Sequence, residues 1–337
     1  MTIKDFAKLL KSKKDLSENQ AKDLLGLLMD NDTNDEQIAE ILILLSEKGE
    51  SISEITGFIK GMRELMVEIE SSPETIDIVG TGGDGSNSFN ISTVSAIVAA
   101  SCGAVVAKHG NRAASSLCGS ADVLEELGVN INLNSKTAEE VLRKYGMVFL
   151  FARVFHPAMK KVGPVRKELK RRTIFNYLGP FLNPAKVRRM LLGAANMILA
   201  RKLLEIAKQL EYEHVLIVTS DDGLDEISIA SKTTVLELKN GVSKEFIIDP
   251  QKLGFGVFKK SDLIGGDPAR NGQIVRDILD GKEQGAKRES VVLNSAYALL
   301  VSGRVSNVSD GIKMSREAID SRKSFELLKK LRRVTNE

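Results

Sequence analysis

The chain has 337 residues, 42% of them hydrophobic and 28% charged, and its 48 lysines and arginines nearly balance its 45 aspartates and glutamates, for a formal net charge of +3. This composition is typical of a soluble globular protein, and the length favours one large domain plus a smaller one. The small net charge argues against nucleic acid as a partner, and the lack of a long apolar stretch argues against a membrane span.

The N-terminal part carries three helix-start signatures, in which a polar cap residue is followed three residues later by Glu or Gln. They are Ser17–Gln20, Thr33–Glu36 and Ser51–Glu54. Apolar residues at helical spacing follow each one. The sequence therefore predicts a helical domain over residues 1–71. Its apolar faces are too extensive for so few helices to cover, so we expect residues 161–188, roughly, to complete it.

From residue 72 onward, short β-branched runs alternate with helical patterns, which favours a largely parallel sheet covered on both faces. The predicted strands are Ile76–Val79, Ala104–Ala107, Val129–Leu133, Met147–Ala152 and His214–Thr219, followed by a hairpin of Thr234–Leu238 and Ser243–Ile248 around Asn240-Gly241. The fold class is thus α/β, with an all-helical small domain and a larger α/β domain over 72–160 and 189–337.

The number of cysteines indicates the redox state of the compartment in which the protein works. Only Cys102 and Cys118 occur, both among small apolar residues, and no basic-then-apolar leader precedes Asp5. The sequence predicts buried thiols and a cytoplasmic location.

A glycine-rich loop follows the first predicted strand. Gly80–Gly85 holds four glycines, and Asn90 then opens a small-residue helix over 91–101. Converging backbone N–H groups and a helix N-terminus favour a phosphate. The spacing matches neither the Walker loop nor the dinucleotide fingerprint, so a plain tight turn stays open as an alternative.

Two further polar clusters follow other predicted strands. Lys108, His109 and Asn111 come after Ala104–Ala107, and the adjacent Asp225 and Glu226 come after His214–Thr219. Ligands of open α/β sheets bind at the carboxyl ends of the strands, so these clusters are expected to face one crevice. The acidic pair is a candidate for Mg²⁺, with an ordinary acidic surface loop as the alternative.

Several long motifs together resemble the anthranilate phosphoribosyltransferase family. They are GTGGDG (80–85), NIST (90–93), KHGN (108–111), CGSADVLEELG (118–128), FHPAMKKVGPVRKELKRRTIFNYLGPFLNP (155–184) and DGLDEIS (222–228). The resemblance implies a nucleoside phosphorylase/phosphoribosyltransferase-like architecture and a homodimer formed through the helical domain. It also implies transfer of 5-phosphoribose from 5-phosphoribosyl 1-pyrophosphate (PRPP) to the amine of anthranilate, the second step of tryptophan biosynthesis from chorismate.

The resemblance also implies site residues. PRPP is assigned to Gly80, Gly83, Asp84, Ser88, Asn90, Ile91, Ser92, Thr93, Lys108, His109, Gly110, Asn111, Arg112, Ala113, Ala114, Ser115, Ser116 and Ser120. Magnesium, as two ions, is assigned to Ser92, Asp225 and Glu226. Anthranilate is assigned to Gly80, Asn111 and Arg166. Catalytic roles fall to Lys108, His109 and Arg166.

Several roles have competing interpretations. His109 is either a general base or a positioning residue, His156 lines a substrate tunnel or fills the core, and His214 is expected to be structural. Arg166 stands among many basic residues and, on the residues alone, could be one more solvated charge. Two other functions stay open: a pyrimidine nucleoside phosphorylase, and a nucleic-acid-binding relative, which would need a strongly basic groove.

Overall fold

The structure, a computed structural model, describes residues 1–113 and 116–337. It has two compact units. One comprises Met1–Val67 and Phe155–Pro184, and the other comprises Glu68–Val154 and Ala185–Glu337. The domain boundaries expected from the sequence, at residues 71, 160 and 188, stay a prediction. No helix in the described part of the chain is both long and apolar enough to cross a membrane.

The described residues form fifteen α-helices and seven strands. The helices are α1 (Ile3–Lys11), α2 (Glu18–Met29), α3 (Asp35–Lys48), α4 (Ile52–Leu65), α5 (Ile91–Ser101), α6 (Ser120–Glu126), α7 (Ser135–Tyr145), α8 (Ala152–Phe155), α9 (Met159–Leu169), α10 (Phe175–Leu178), α11 (Met197–Gln209), α12 (Pro268–Leu279), α13 (Ala286–Ser302), α14 (Val308–Asp320) and α15 (Lys323–Val334). The strands are β1 (Ile76–Gly80), β2 (Val106–Gly110), β3 (Met147–Phe151), β4 (Arg189–Gly193), β5 (His214–Ser220), β6 (Thr233–Lys239) and β7 (Val242–Ile248). Short 3₁₀ helices cover Gly179–Phe181, Gln251–Leu253 and Lys260–Leu263.

Capping boxes begin all four of the helices α1 to α4, with Thr2, Ser17, Asn34 and Ser51 as the cap residues. The predicted capping boxes at Ser17 and Ser51 are confirmed. Each serine hydroxyl accepts the backbone N–H of the residue three positions on, and the side chain of that Gln or Glu accepts the backbone N–H of the serine. The prediction at Thr33 was wrong by one residue: Asn34 caps α3. The Thr33 hydroxyl instead donates to the Leu27 carbonyl at 2.6 Å, which ties the preceding turn to the end of α2.

Helices α2 and α4 approach each other closely where α4 carries glycine. A Cβ on Gly57 would overlap the Glu18 carbonyl oxygen, and one on Gly61 would lie 2.7 Å from a Leu25 methyl. Contacts this short leave no room for a side chain. The two glycines therefore set the distance between these helices.

The α/β unit is built on one seven-stranded sheet with the order β3-β2-β1-β4-β5-β6-β7. The five strands from β3 to β5 pair in parallel, and β5, β6 and β7 pair antiparallel. The predicted α/β class with a mostly parallel sheet is confirmed. The hairpin is confirmed too, with Asn240 and Gly241 at φ 50° and 80°, the left-handed pair that a two-residue turn between twisted strands needs.

Two strand predictions were wrong. Residues 129–133 form no strand although their apolar residues alternate and are buried, because the Asn130 and Asn132 N–H groups donate to the side chains of Thr335 and Asn130. Strand β4, a central strand whose apolar part is only Met190–Leu192, was not predicted. An apolar run of three between basic residues and Gly193 is too short to give a clear periodic signal.

Strands β1 and β2 separate toward their carboxyl ends. They pair only at Ile76 and Val106, whereas β1 pairs with β4 along all five residues from Ile76 to Gly80. The main-chain groups of β1 and β2 beyond that first pair must find other partners. The gap between them is where the site begins.

Candidate active site

Side chains replace the missing main-chain ladder between β1 and β2. The Lys108 ammonium donates to the Ile78 carbonyl oxygen at 2.6 Å, and the His109 N–H donates to the Asp77 carboxylate at 3.3 and 3.4 Å. Lys108 is only 2% exposed and Asp77 is fully buried. Burial lowers the pKa of Lys108, and the negative charges of Asp77 and Glu226 oppose that shift. Two buried groups of opposite charge thus lie on the adjacent strands β1 and β2.

The acidic pair after β5 contacts both the glycine loop and the start of α5. Asp225 accepts a 2.6 Å hydrogen bond from the Gly82 N–H, and Glu226 accepts one of 3.2 Å from the Ser92 N–H. Lys108 also donates to the Ser92 hydroxyl at 3.1 Å. The glycine loop, the helix start, the acidic pair and the lysine therefore belong to one hydrogen-bonded cluster, although Gly82 and Asp225 are 143 positions apart in the chain.

Two glycines make room for Asp225. Gly80 and Gly193 are paired at the ends of β1 and β4. A Cβ on Gly80 would lie 2.5 Å from the Asp225 carboxylate, and one on Gly193 would overlap the Asp225 carbonyl oxygen. Gly193 was not among the predicted site residues, and the one local signal for it is that it ends an apolar run.

Burial changes the acidity of the pair. It raises the pKa of Asp225 to about 6, with the nearby Asp84 as the second cause, and that of Glu226 to about 8, with Asp225 as the second cause. Neighbouring buried carboxylates favour a proton or a cation between them.

Magnesium fits the donors of this cluster. Asp225, Glu226 and the Ser92 hydroxyl are the hard oxygen ligands that Mg²⁺ prefers, and Mg²⁺ commonly completes its shell with water and substrate phosphate. Within residues 1–113 and 116–337, no three His, Cys, Asp or Glu side chains form a ready-made metal group. The protein would therefore supply only part of the shell.

The glycine loop contains three residues in the left-handed backbone region. Gly82, Gly83 and Gly85 have φ values of 69°, 76° and 66°, in the left-handed region that disfavours side chains. Ser88 forms an isolated bridge with Ile264, and Ser86 contacts both Asp84 and Ser88. Asn90 precedes α5 as predicted, but its side chain does not cap the helix.

The segment after β2 is organised by Asp122, which was not among the predicted site residues. Its carboxylate accepts the N–H groups of Ala113 and Gly119, both at 2.9 Å. Arg112 pairs with Asp122 and Glu125 and lies over the Phe151 ring at 5.5 Å. Ser116 lies between Arg112 and Gly119 in the chain, and Ser120 begins α6. Ala114 and Ser115 lie outside the described residues.

Arg166 is the one predicted site residue that belongs to the helical unit. It lies on α9, half-buried, with its guanidinium 5.1 Å from the centre of the Phe175 ring. Burial lowers its pKa. Among the described residues it forms no ion pair. Arg166 is therefore packed against an aromatic ring and is not a fully solvated charge.

The other two histidines have local environments of their own. Burial lowers the pKa of His156 to about 4, so that its ring is neutral at pH 7. His214 lies 2.7 Å from the Glu237 carboxylate, which also accepts from Lys244 at 2.8 Å on the neighbouring strand. This pairing between adjacent strands agrees with a structural role for His214.

Two family models match the chain. The helical bundle domain of a glycosyl transferase family matches residues 4–66, and the α/β domain of a glycosyl transferase family matches residues 72–325. Both units of the structure thus have counterparts in this class. Fold and site define a glycosyl transferase.

Similar proteins of known name indicate which glycosyl transferase family the chain belongs to. An anthranilate phosphoribosyltransferase of Methanobrevibacter smithii is 45% identical over 96% of each chain. The crystal structure of anthranilate phosphoribosyltransferase from Thermus thermophilus is 35% identical, with a TM-score of 0.92 over 99% of this chain and 100% of that one. The Saccharomyces cerevisiae enzyme in complex with PRPP and Mg is 28% identical, with a TM-score of 0.90 over 99% and 98%. The chain belongs to the anthranilate phosphoribosyltransferase family.

Proposed function

We propose that this chain transfers 5-phosphoribose from PRPP to the amine of anthranilate and releases pyrophosphate, the second step of tryptophan biosynthesis. The observation that carries the proposal is the single cluster of Gly82, Ser92, Lys108, Asp225 and Glu226 at the carboxyl ends of β1, β2 and β5. Family membership favours this reaction over a nucleoside phosphorylase or a nucleic-acid-binding function.

PRPP is expected to lie against the glycine loop and the start of α5. Cleavage of the bond between ribose C1 and the pyrophosphate oxygen leaves positive charge on the sugar and negative charge on the leaving group. We propose that the backbone N–H groups of Gly83–Gly85 and the Lys108 ammonium stabilise the departing charge, while the Gly82 N–H holds Asp225. Stabilisation that grows toward the transition state accelerates the reaction. The residues assigned to PRPP from the resemblance keep that assignment as part of this proposal.

Magnesium is proposed to be held by Ser92, Asp225 and Glu226. When bound, the ion neutralises charge on the pyrophosphate and favours its departure. The acidic pair supports this assignment, since its two carboxylates are buried and adjacent. Two ions per site is our proposal for the count.

Anthranilate is proposed to bind through its carboxylate to Arg166, with Gly80 and Asn111 as further contacts. A planar guanidinium forms two parallel hydrogen bonds with a carboxylate, and Arg166 is already oriented by the Phe175 ring. The amine of anthranilate is nucleophilic when neutral, so positioning matters more than a strong base. We therefore assign His109 to positioning, which its main-chain bond to Asp77 supports.

The deciding experiment follows anthranilate fluorescence in the presence of Mg²⁺ and PRPP. We expect fluorescence to fall as phosphoribosyl anthranilate forms. Arg166→Ala should raise the KM for anthranilate more than the KM for PRPP, with Lys167→Ala, an exposed neighbour, as the control. Equal increases in both KM values would contradict the role of Arg166, and turnover of a pyrimidine nucleoside with phosphate would contradict the reaction.

Assembly and location complete the proposal. We propose a homodimer formed through the helical unit and an enzyme that works in the cytoplasm. The two free, buried cysteines support the location, because thiols persist in a reducing compartment.

A further inference from the structure

Asn271 lies outside every motif discussed above, yet it hydrogen-bonds to Asn90, a residue of the proposed PRPP site. It is on α12 and only 1% exposed. Its side-chain N–H donates to the Asn90 side-chain oxygen at 3.0 Å, and its own oxygen accepts the Gly266 N–H at 2.8 Å. Both ends of the Asn271 amide are therefore engaged inside the unit.

The contact with Asn90 continues to a second segment of the site. The Asn90 side-chain N–H donates to the Cys118 carbonyl oxygen at 3.1 Å. Asparagine at a helix start commonly accepts a hydrogen bond from the third helical residue. Here that N–H, of Thr93, donates to the Asn90 main-chain oxygen at 3.1 Å, and the Asn90 side chain binds Asn271 and Cys118 instead.

The contact with Gly266 supports the segment 87–89, which follows the glycine loop. Residues 263–265 pair with residues 87–89, through hydrogen bonds from Phe89 N–H to the Leu263 oxygen at 3.0 Å and from Gly265 N–H to the Asn87 oxygen at 2.9 Å. A Cβ on Gly265 would lie 2.6 Å from the Asn271 oxygen and 2.8 Å from Phe89. This segment is therefore pressed against both.

We propose that Asn271 is a positioning residue for PRPP binding, acting through Asn90. It fixes the direction of the Asn90 amide and thereby holds together the start of α5, the Cys118 main chain and the segment 263–266. An amide meets this need because it carries a donor and an acceptor on the same planar group. The inference rests on the proposed function.

The test measures KM for both substrates and the Kd of pyrophosphate with Mg²⁺ for Asn271→Leu and for the milder Asn271→Ser. We expect Asn271→Leu to raise the KM for PRPP and the Kd for pyrophosphate about tenfold, and Asn271→Ser to raise them less. The KM for anthranilate should change less than about twofold. Thr335→Val is the control, since it removes a buried hydroxyl bound to Asn130 and Leu331, and it should leave all three values unchanged.

A double-mutant cycle with Asn90→Ala tests the route. If Asn271 acts through Asn90, the Asn271→Leu change should add less than about twofold to the KM for PRPP in the Asn90→Ala background.

Multiplicative effects in that cycle would overturn the proposal, as would an unchanged KM for PRPP in folded Asn271→Leu. Failure of both Asn271 variants to fold would also count against it, because the residue would then serve folding. An inactive wild-type protein would instead refute the proposed function.

Discussion

Lys108 is a buried cation with two oxygen partners, the Ile78 carbonyl and the Ser92 hydroxyl. Lys108→Met keeps much of the side-chain volume and removes the charge. We expect kcat to fall by about 10²-fold, the usual effect of losing a preorganised donor to a leaving group. The measurement is steady-state turnover of anthranilate.

The matched control is Lys252→Met, at an exposed position within the short 3₁₀ helix Gln251–Leu253, which should leave kcat unchanged. If the two variants had the same kcat, Lys108 would have only a structural role.

The acidic pair is expected to make stability depend on pH and, through the proposed metal site, on magnesium. Because burial raises the folded-state pKa of Asp225 and Glu226, their ionisation costs stability as the pH rises from the ordinary carboxyl range through about 8. A divalent cation favours the ionised forms. We therefore expect Mg²⁺ to raise Tm by more at about pH 8 than at about pH 6.

Thermal unfolding of the wild type and of the Asp225→Asn, Glu226→Gln double variant checks this. The double variant should be less sensitive to both pH and Mg²⁺. An equal increase in Tm with Mg²⁺ in the two proteins would contradict the assignment of Asp225 and Glu226 as metal ligands.

At the scale of elements, the ends of β1 and β4 leave space for the segment after β5. Gly193→Ala would drive a Cβ into the Asp225 carbonyl oxygen, so the segment must move. We expect a loss of about 1–3 kcal/mol in the free energy of unfolding. A loss of activity should accompany it, because Asp225 shifts away from Gly82.

Gly26→Ala provides the comparison, measured in the same denaturant titration. Gly26 is exposed within α2 and has no atom within 4 Å of its virtual Cβ, so alanine should stabilise that helix by up to about 1 kcal/mol. Unchanged stability and activity in Gly193→Ala would show that the segment after β5 adapts freely.

At the scale of the whole molecule, the proposed homodimer predicts a particle of twice the 36.8 kDa chain mass. Apolar helix faces that a second copy covers would provide the driving force. Light scattering during gel filtration measures the mass directly. A particle of single-chain mass across micromolar concentrations would contradict the dimer.

Local signals predicted much of the fold. The capping residues Ser17 and Ser51, the Asn240-Gly241 turn and helix α5 each depend on neighbours a few positions away, so their patterns are visible in the chain. Residues 129–133 carry the same alternation as a strand but bind side chains, and β4 has too few apolar residues to stand out. Pairing partners decide such cases, and they are distant in the chain.

The site shows the same division between near and distant neighbours. The glycine loop, the Lys108 segment and the acidic pair were recognisable as three clusters, and their placement at strand ends followed from strand–helix alternation. Their convergence on one crevice was predicted as well. The hydrogen bonds that join them, the Asp77 and Lys108 contacts between separating strands, the space left by Gly193 and the bond from Asn271 to Asn90 came only from the tertiary structure. These contacts join residues far apart in sequence, where no short-range periodicity or motif records which groups will meet.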